Sequence, residues 1–206
     1  MNDSWNAEER RQLRALDTPE AIQALLDALP YNDEPTCRSP RRVLRDRKAH
    51  CMEGGLLAAA ALERLGHPPL IVDMRAERDD DHILALFRRN GRLGAVAKSN
   101  FTGLRYRSPV HRSLRELVMS YFEDYFNSDG ELTLRGYTRP ISLAGARFGD
   151  WRTREDDLDD IGDHMDTLSV IRIVTPAEAK KLRRMPPAEM KAGLLVANPK
   201  GLWGAH

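Results

Sequence analysis

A run of small and apolar residues that begins at Cys51 constrains the fold of this chain more than any other feature. From Met52 to Leu65, leucines and alanines cover a broad helical face. Gly66 and the pair Pro68-Pro69 then stop the helix. Because its other positions are largely alanine and glycine, the predicted helix is thin, and it can approach a sheet closely and be buried on several sides.

Three strands are predicted directly after this helix, between Leu70 and Asn100. The segments "PLIVDMRAE", "DHILALFRR" and "RLGAVAKSN" each read as a strand. Asn90-Gly91 separates the last two and is the strongest hairpin signal in the chain. At least two of these strands are therefore expected to be antiparallel, and all three are expected to pack on the Cys51 helix.

Helical patterns flank this central unit on both sides. Residues 7–29 predict helix with a fresh start at Thr18-Pro19, and residues 113–126 predict an amphipathic helix capped by Ser113. The predicted fold class is α+β, with an antiparallel sheet packed on a central helix that carries the cysteine and extra helices at both ends. One domain is expected over residues 1–174, with its core at about 41–126. A helical appendage and tail follow over 175–206.

Composition narrows the classes of function. The 206 residues carry 32 basic and 31 acidic side chains, for a net charge of +1, so no global field favours nucleic acid. No apolar stretch is long enough to span a membrane, and the first residues lack an apolar signal-peptide core. The expected compartment is the cytoplasm, where Cys37 and Cys51 would stay reduced. The oligomeric state is left open.

Cys51 is the candidate nucleophile. A thiol in the first turn of a helix faces unpaired backbone N–H groups and the positive end of the helix dipole, which favour the thiolate and lower the thiol pKa. Arg45, Arg47 and Lys48 would act in the same direction if they lie nearby. The same N–H groups can stabilise an oxyanion. The alternative is a small buried cysteine without chemistry.

A cysteine nucleophile needs a base, and His82 is the candidate. It follows the acidic turn 79–81 and opens a strand thirty-one residues after Cys51, which is about the chain needed to return to the start of the helix. A polar residue at the end of the next strand would orient the imidazole. Asn100 is preferred for this role, with Lys98 or Ser99 as the alternatives. The acidic turn and His82 are not expected to bind metal, because consecutive carboxylates cannot all converge on one ion.

The order of these features resembles the core of the transglutaminase-like superfamily, a circularly permuted relative of the papain fold. A cysteine after the leader "VLRDRKAHC" opens a small-residue helix that ends in "LG" and "PP", and a strand and a histidine-led strand follow. The likeness covers roughly residues 41–101. It implies that Cys51 is the nucleophile and His82 the base. The family's aspartate on the third strand is replaced here by the stretch 98–100, and asparagine can orient a histidine, as it does in papain-like enzymes.

Two functions follow from these expectations. The first is a cysteine-dependent hydrolase or acyltransferase that acts on an amide, isopeptide or ester carbonyl of a peptide or small substrate through a thioester, with no metal or organic cofactor. The second is a non-catalytic domain that binds a peptide or an acidic partner. Arg41 and Arg42 are the candidate substrate contacts. Alternatively, the arginines of their run hold the acidic segment after Glu155.

Overall fold

The computed structural model describes residues 5–204 and has an α+β fold built on one antiparallel sheet. The helices are α1 (Ala7–Arg14), α2 (Pro19–Ala28), α3 (Pro40–Asp46), α4 (Cys51–Arg64), α5 (Leu114–Met119), α6 (Asp159–Asp166), α7 (Pro176–Ala179) and α8 (Pro187–Gly193). The strands are β1 (Leu70–Ala76), β2 (His82–Arg89), β3 (Arg92–Val96), β4 (Arg107–His111), β5 (Leu134–Thr138), β6 (Ile141–Ser142) and β7 (Val170–Arg172). Short 3-10 turns lie at Thr102–Leu104, Phe122–Asp124 and Pro199–Gly201.

The strand order in the sheet is β4-β3-β2-β1-β5-β7, and β6 pairs with the first residues of β1. The predicted hairpin between β2 and β3 is confirmed. Asn90 and Gly91 both have positive φ, at 53° and 74°, which is what a two-residue turn between twisted antiparallel strands requires. The three strands predicted between Leu70 and Asn100 are β1, β2 and β3, and they pair antiparallel in sequence order.

Alternation along the strands gives the sheet two buried faces. Ile83, Ala85 and Phe87 of β2 belong to the apolar cluster that contains α4, whereas Leu84 and Leu86 belong to the cluster on the other face. The second cluster includes Leu117 and Val118 of α5 and the rings of Tyr121 and Tyr125. The sheet is therefore the middle of three layers. His82, the first residue of β2, lies at one end of that strand, at the edge of the two apolar clusters.

Helix α4 begins at Cys51 because His50 caps it. The His50 Nδ1 atom accepts the Met52 N–H at 3.2 Å, and Glu53 Oε2 accepts the His50 N–H at 3.1 Å. Two glycines let the helix touch the sheet. A Cβ atom on Gly54 would lie 2.3 Å from the Lys98 Cβ, and one on Gly55 would lie 2.6 Å from the Ile83 Cγ2. The prediction of a thin helix in close contact with the sheet is confirmed.

The helix predicted over residues 113–126 is shorter than expected. Ser113 does cap it, accepting the Glu116 N–H at 3.1 Å, but α5 ends at Met119. Its last carbonyls find other partners: the Ser120 hydroxyl donates to the Leu117 carbonyl at 2.6 Å, and Arg107 Nη2 donates to the Ser120 carbonyl at 3.0 Å. One local contact, from Ser120, and one tertiary contact, from Arg107, replace bonds that a longer helix would make.

The segment 175–204 packs on the rest of the chain at several points. The Met185 N–H donates to the Gly130 carbonyl at 2.8 Å, and the Thr102 hydroxyl donates to the Ala192 carbonyl at 2.9 Å. Met185 is buried with Phe126 and Leu132 in a third apolar cluster. Across residues 5–204 the structure has no helix with the length and apolar character needed to cross a membrane.

Candidate active site

Cys51 is the first residue of α4, as the sequence predicts. Its thiol donates to the Asp81 carbonyl at 3.6 Å. The backbone amides of Met52 and Ile83 interact favourably with a negative charge on the sulfur. Because Asp81 and Ile83 flank His82, the sulfur lies beside the backbone at the start of β2.

His82 opens β2, and its imidazole is buried. The Nε2 atom lies 2.7 Å from the Leu104 carbonyl oxygen, and the ring edge meets the Tyr125 ring at a centroid distance of 6.4 Å. Because a carbonyl oxygen only accepts hydrogen bonds, Nε2 must carry the proton. The hydrogen bond to Leu104 therefore assigns the tautomer, in which Nδ1 keeps its lone pair.

Cys51 and His82 line one small cavity, together with Tyr31, Asn100 and Trp203 among others. Its volume is about 30 Å³, which is comparable with the volume of one water molecule. Each of the two side chains makes its own hydrogen bond elsewhere, the thiol to Asp81 and the imidazole to Leu104. The structure thus brings both residues to a shared space without bonding them to each other.

Burial determines the protonation state of this pair. It raises the pKa of Cys51 to about 12, and the negative charges of Asp80 and Asp73 add to that effect. It also lowers the pKa of His82 to about 4, against a smaller opposing effect of the Leu104 carbonyl. The pair is therefore a thiol and a neutral imidazole at neutral pH. The expectation of a lowered thiol pKa is wrong, because desolvation outweighs the helix terminus.

The basic residues before Cys51 do not offset this burial. Arg45 pairs with Asp46 and with Glu155, each at 2.8 Å, and Lys48 pairs with Glu34 at 2.5 Å. Their charges are compensated by these carboxylates, so they do not act as a positive field on the thiol.

Asn100 lines the cavity but makes its hydrogen bonds away from His82. Its Oδ1 accepts the Asn198 N–H at 2.6 Å, and its Nδ2 donates to the carbonyls of Asn198 at 2.8 Å and Gly201 at 3.1 Å. The predicted orientation of His82 by Asn100 is thus corrected, because both polar atoms of the amide are engaged by a segment about 100 residues away. The Leu104 carbonyl orients the imidazole instead.

The two alternatives to Asn100 also have other partners. Lys98 is buried, and its Nζ donates to the carbonyls of Leu26 and Leu29 at the end of α2. The Ser99 hydroxyl accepts the Phe101 N–H at 3.0 Å. The residue that does orient His82 acts through its main chain, so no side-chain signal in the sequence could have identified it.

Arg41 and Arg42 are ion-paired, and neither lines the cavities at Cys51. The Arg41 guanidinium contacts both carboxylate oxygens of Glu9, at 2.8 and 3.1 Å. Arg42 contacts Asp157 at 2.5 Å. Together with the pair between Arg45 and Glu155, this supports the alternative that the arginines hold the acidic segment, rather than the predicted substrate contact.

Two larger grooves open on either side of Cys51. The first, which we call the Tyr31 groove, has a volume of about 750 Å³ and is lined by residues 31–35, 50–51, 80–81 and 201–204. The second, which we call the Asp73 groove, has a volume of about 400 Å³ and lies between the start of α4 and helix α6. Cys51 lines both grooves and is only partly buried as a residue.

Asp73 lies at the base of the second groove with 1% exposure. Its Oδ2 pairs with Arg75 Nε at 2.8 Å, whereas Oδ1 has no hydrogen-bond partner among residues 5–204. Burial and the charge of Asp81 raise the pKa of Asp73 to about 7, although Arg75 opposes the shift.

Glu53 is the second buried carboxylate near Cys51, and its oxygens are fully used. They accept hydrogen bonds from the Thr36 hydroxyl at 2.8 Å, the Asn32 amide at 3.0 Å and the Arg38 and His50 N–H groups at 3.0 and 3.1 Å. These bonds fix the loop before α3 to the first turn of α4. Glu53 therefore holds in place Asn32 and His50, two residues that line the Tyr31 groove.

No protein-family model matches this sequence, and no curated protein is significantly similar to it.

Proposed function

We propose that this protein is a cysteine-dependent hydrolase or acyltransferase with a transglutaminase-like core, which acts on an amide, isopeptide or ester carbonyl. The observation that carries the proposal is the hydrogen bond from His82 Nε2 to the Leu104 carbonyl, because it leaves Nδ1 as the proton acceptor of a side chain that lines the same cavity as Cys51. The position of Cys51 at the start of α4 adds the N–H groups that favour an anion.

The first half-reaction follows from the neutral pair. His82 Nδ1 takes the thiol proton, directly or through one water, while the sulfur forms a bond to the substrate carbonyl carbon. The carbonyl π electrons move to oxygen. When that oxyanion collapses, the bond to the leaving amine or alcohol breaks, and the imidazolium gives its proton to the leaving group. The product of this step is a thioester on Cys51.

The second half-reaction regenerates the thiol. Water or an amine attacks the thioester, its proton passes to Nδ1, and the sulfur leaves and takes that proton back. Water gives hydrolysis, and an amine gives acyl transfer. Because burial disfavours both the thiolate and the imidazolium, proton transfer coupled to bond formation is the favourable route for this site.

An ester probe tests the proposal. The protein is incubated with p-nitrophenyl acetate, release of nitrophenol is followed, and the acetyl group is located by peptide mass spectrometry. We expect acetylation of Cys51 and no turnover by Cys51→Ala. His82→Ala should lower the acylation rate by about 10²- to 10⁴-fold. Cys37→Ser is the matched control, since Cys37 is buried and its pKa is raised to about 12 as well. Equal turnover by Cys51→Ala and the unmodified chain would refute the proposal.

The pH dependence of that reaction gives a second readout. The base must be unprotonated and the thiol protonated, and the pKa values of about 4 for His82 and about 12 for Cys51 bound this state. We therefore expect kcat/KM to be nearly flat between about pH 6 and 9 and to fall as the pH approaches 4. A bell-shaped profile centred on neutrality would instead indicate a preformed thiolate–imidazolium pair.

A non-catalytic binding domain is the second candidate, and one observation favours it. Asn100, the residue best placed to act with His82, is used to hold residues 198–201. If no ester or amide probe acylates Cys51 while peptides still bind beside it, the binding function is the one that remains.

A further inference from the structure

The segment 198–204, a stretch of the chain's own sequence, lies over the candidate nucleophile. After the turn Pro199–Gly201, residues 201–204 form one side of the Tyr31 groove. Gly201 and Trp203 also line the small cavity shared by Cys51 and His82. The segment therefore occupies part of the space that a substrate must enter to reach the sulfur.

The side-chain amide of Asn100 holds this segment through the segment's backbone groups. The amide accepts one N–H and donates to two carbonyls, all from Asn198 and Gly201. These bonds engage only main-chain groups at the two ends of the turn Pro199–Gly201, so they do not depend on particular side chains. The Asn198 Oδ1 in turn accepts the Lys200 N–H at 3.2 Å and closes the turn.

Two residues of the segment have side-chain requirements. A Cβ atom at position 201 would lie 2.6 Å from a ring carbon of Tyr31, so any other residue here has to displace the Tyr31 ring or the segment itself. Two residues later, the Trp203 indole lines the groove while 44% of the residue stays exposed. Trp203 therefore lies beside the thiol without belonging to any of the three apolar clusters of the described residues.

We infer that the Tyr31 groove, together with the place that residues 198–204 take at its side, is a peptide-binding site and that residues 198–204 are its intramolecular ligand. The peptides that this groove takes present a glycine against Tyr31 and an aromatic side chain two residues further on. The statement that such peptides are substrates rests on the proposed function, whereas their binding does not. An incoming peptide must displace the segment, so the segment also restrains the reactivity of Cys51.

Alkylation of Cys51 by iodoacetamide in the full-length chain measures the restraint. Gly201→Val places a branched side chain against Tyr31, and Trp203→Ala empties the aromatic subsite. We expect each to raise the alkylation rate constant of Cys51 at least tenfold, because the thiol loses cover and its pKa falls. Leu195→Ala is the matched control, since Leu195 is 76% exposed in the same appendage and lies outside the groove. Cys37, followed in the same mass spectra, reports on the fold.

Addition of the segment as a separate peptide tests the ligand class. The peptide ANPKGLWG, residues 197–204, should slow alkylation of Cys51 in the Gly201→Val variant back toward the wild-type rate. ANPKVLWG and ANPKGLAG should not slow it. Unchanged alkylation in both variants, with Cys37 still protected, would overturn the inference, and so would equal protection by all three peptides.

These outcomes separate this inference from the proposed function. Iodoacetamide needs no general base, so faster alkylation without turnover of the ester probe would uphold the peptide site and refute the enzyme. Ester turnover that Trp203→Ala and Gly201→Val leave unchanged would uphold the enzyme and refute the peptide site.

Discussion

Glu53 and Asp73 are equally buried carboxylates near Cys51, but they differ in how many hydrogen-bond partners they have. Glu53 is 0% exposed and accepts hydrogen bonds from four neighbouring residues. Asp73 is 1% exposed, pairs with a single arginine and keeps one oxygen without a partner among the described residues. A buried carboxylate that is fully hydrogen-bonded holds structure together, whereas one left unsatisfied is retained at a cost to stability. The comparison assigns Glu53 to the scaffold and leaves Asp73 as a carboxylate whose protonation can respond to pH.

The largest expected effect belongs to Glu53. Glu53→Ala removes the acceptor of several buried donors, so the free energy of unfolding should fall by about 3–5 kcal/mol. Urea denaturation at neutral pH measures the loss. Glu8→Ala is the matched control, because Glu8 also lies in the first turn of a helix but pairs with Arg11 at the surface, and its replacement should change the free energy of unfolding little. A similar loss in both variants would remove the distinction drawn between the two carboxylates.

Asp73 should instead affect how the free energy of unfolding depends on pH. Its pKa is about 7 in the folded chain and about 3.9 in an unfolded one, so between these values only the native state keeps the proton. The stability from this proton is fully present below the unfolded pKa and is lost as the pH rises toward 7, at up to about 1.4 kcal/mol per pH unit.

Asp73→Asn should therefore flatten the pH dependence of unfolding between about pH 4 and 7. Some slope should remain, because burial also raises the pKa of Asp79 to about 7. Urea titrations of both chains at several pH values make the comparison. Parallel curves would mean that the pKa of Asp73 is not raised in the folded state.

The smallest effect concerns the thiol. The negative charge of Asp73 helps to raise the pKa of Cys51, so Asp73→Asn should speed alkylation of Cys51 by a factor of about 2–5 above pH 8. The ratio of the two rates should shrink toward one below about pH 6, where Asp73 is protonated in the unmodified chain. A ratio independent of pH would assign the change to altered access and not to charge.

The sequence predicts the parts of the fold that local signals specify. The α4 helix follows from apolar periodicity with a glycine stop, and the β2–β3 hairpin follows from Asn90-Gly91, whose backbone needs positive φ. The helix predicted over residues 113–126 is too long. Contacts of Arg107 and Ser120 end α5 early, and apolar periodicity does not encode them.

The site is less predictable than the fold. The order of Cys51 and His82 along the chain indicates that they meet. However, the Asn100 side chain is hydrogen-bonded to Asn198, and the backbone carbonyl of Leu104 orients the imidazole instead. The sign of the thiol pKa shift is likewise set by distant segments. A helix start favours the thiolate locally, whereas the strands and the segment 198–204 that bury Cys51 outweigh it.

The contacts of Gly54 and Gly55 have a consequence for how the site responds to a ligand. At both positions the helix backbone rests on the side chains of Lys98 and Ile83 with no side chain of its own between them. This contact between helix and sheet is rigid, because the two glycines have no side chain that could change its rotamer. We therefore expect Cys51 to keep its position relative to the start of β2 when a ligand binds, and any adjustment to occur in the groove walls instead.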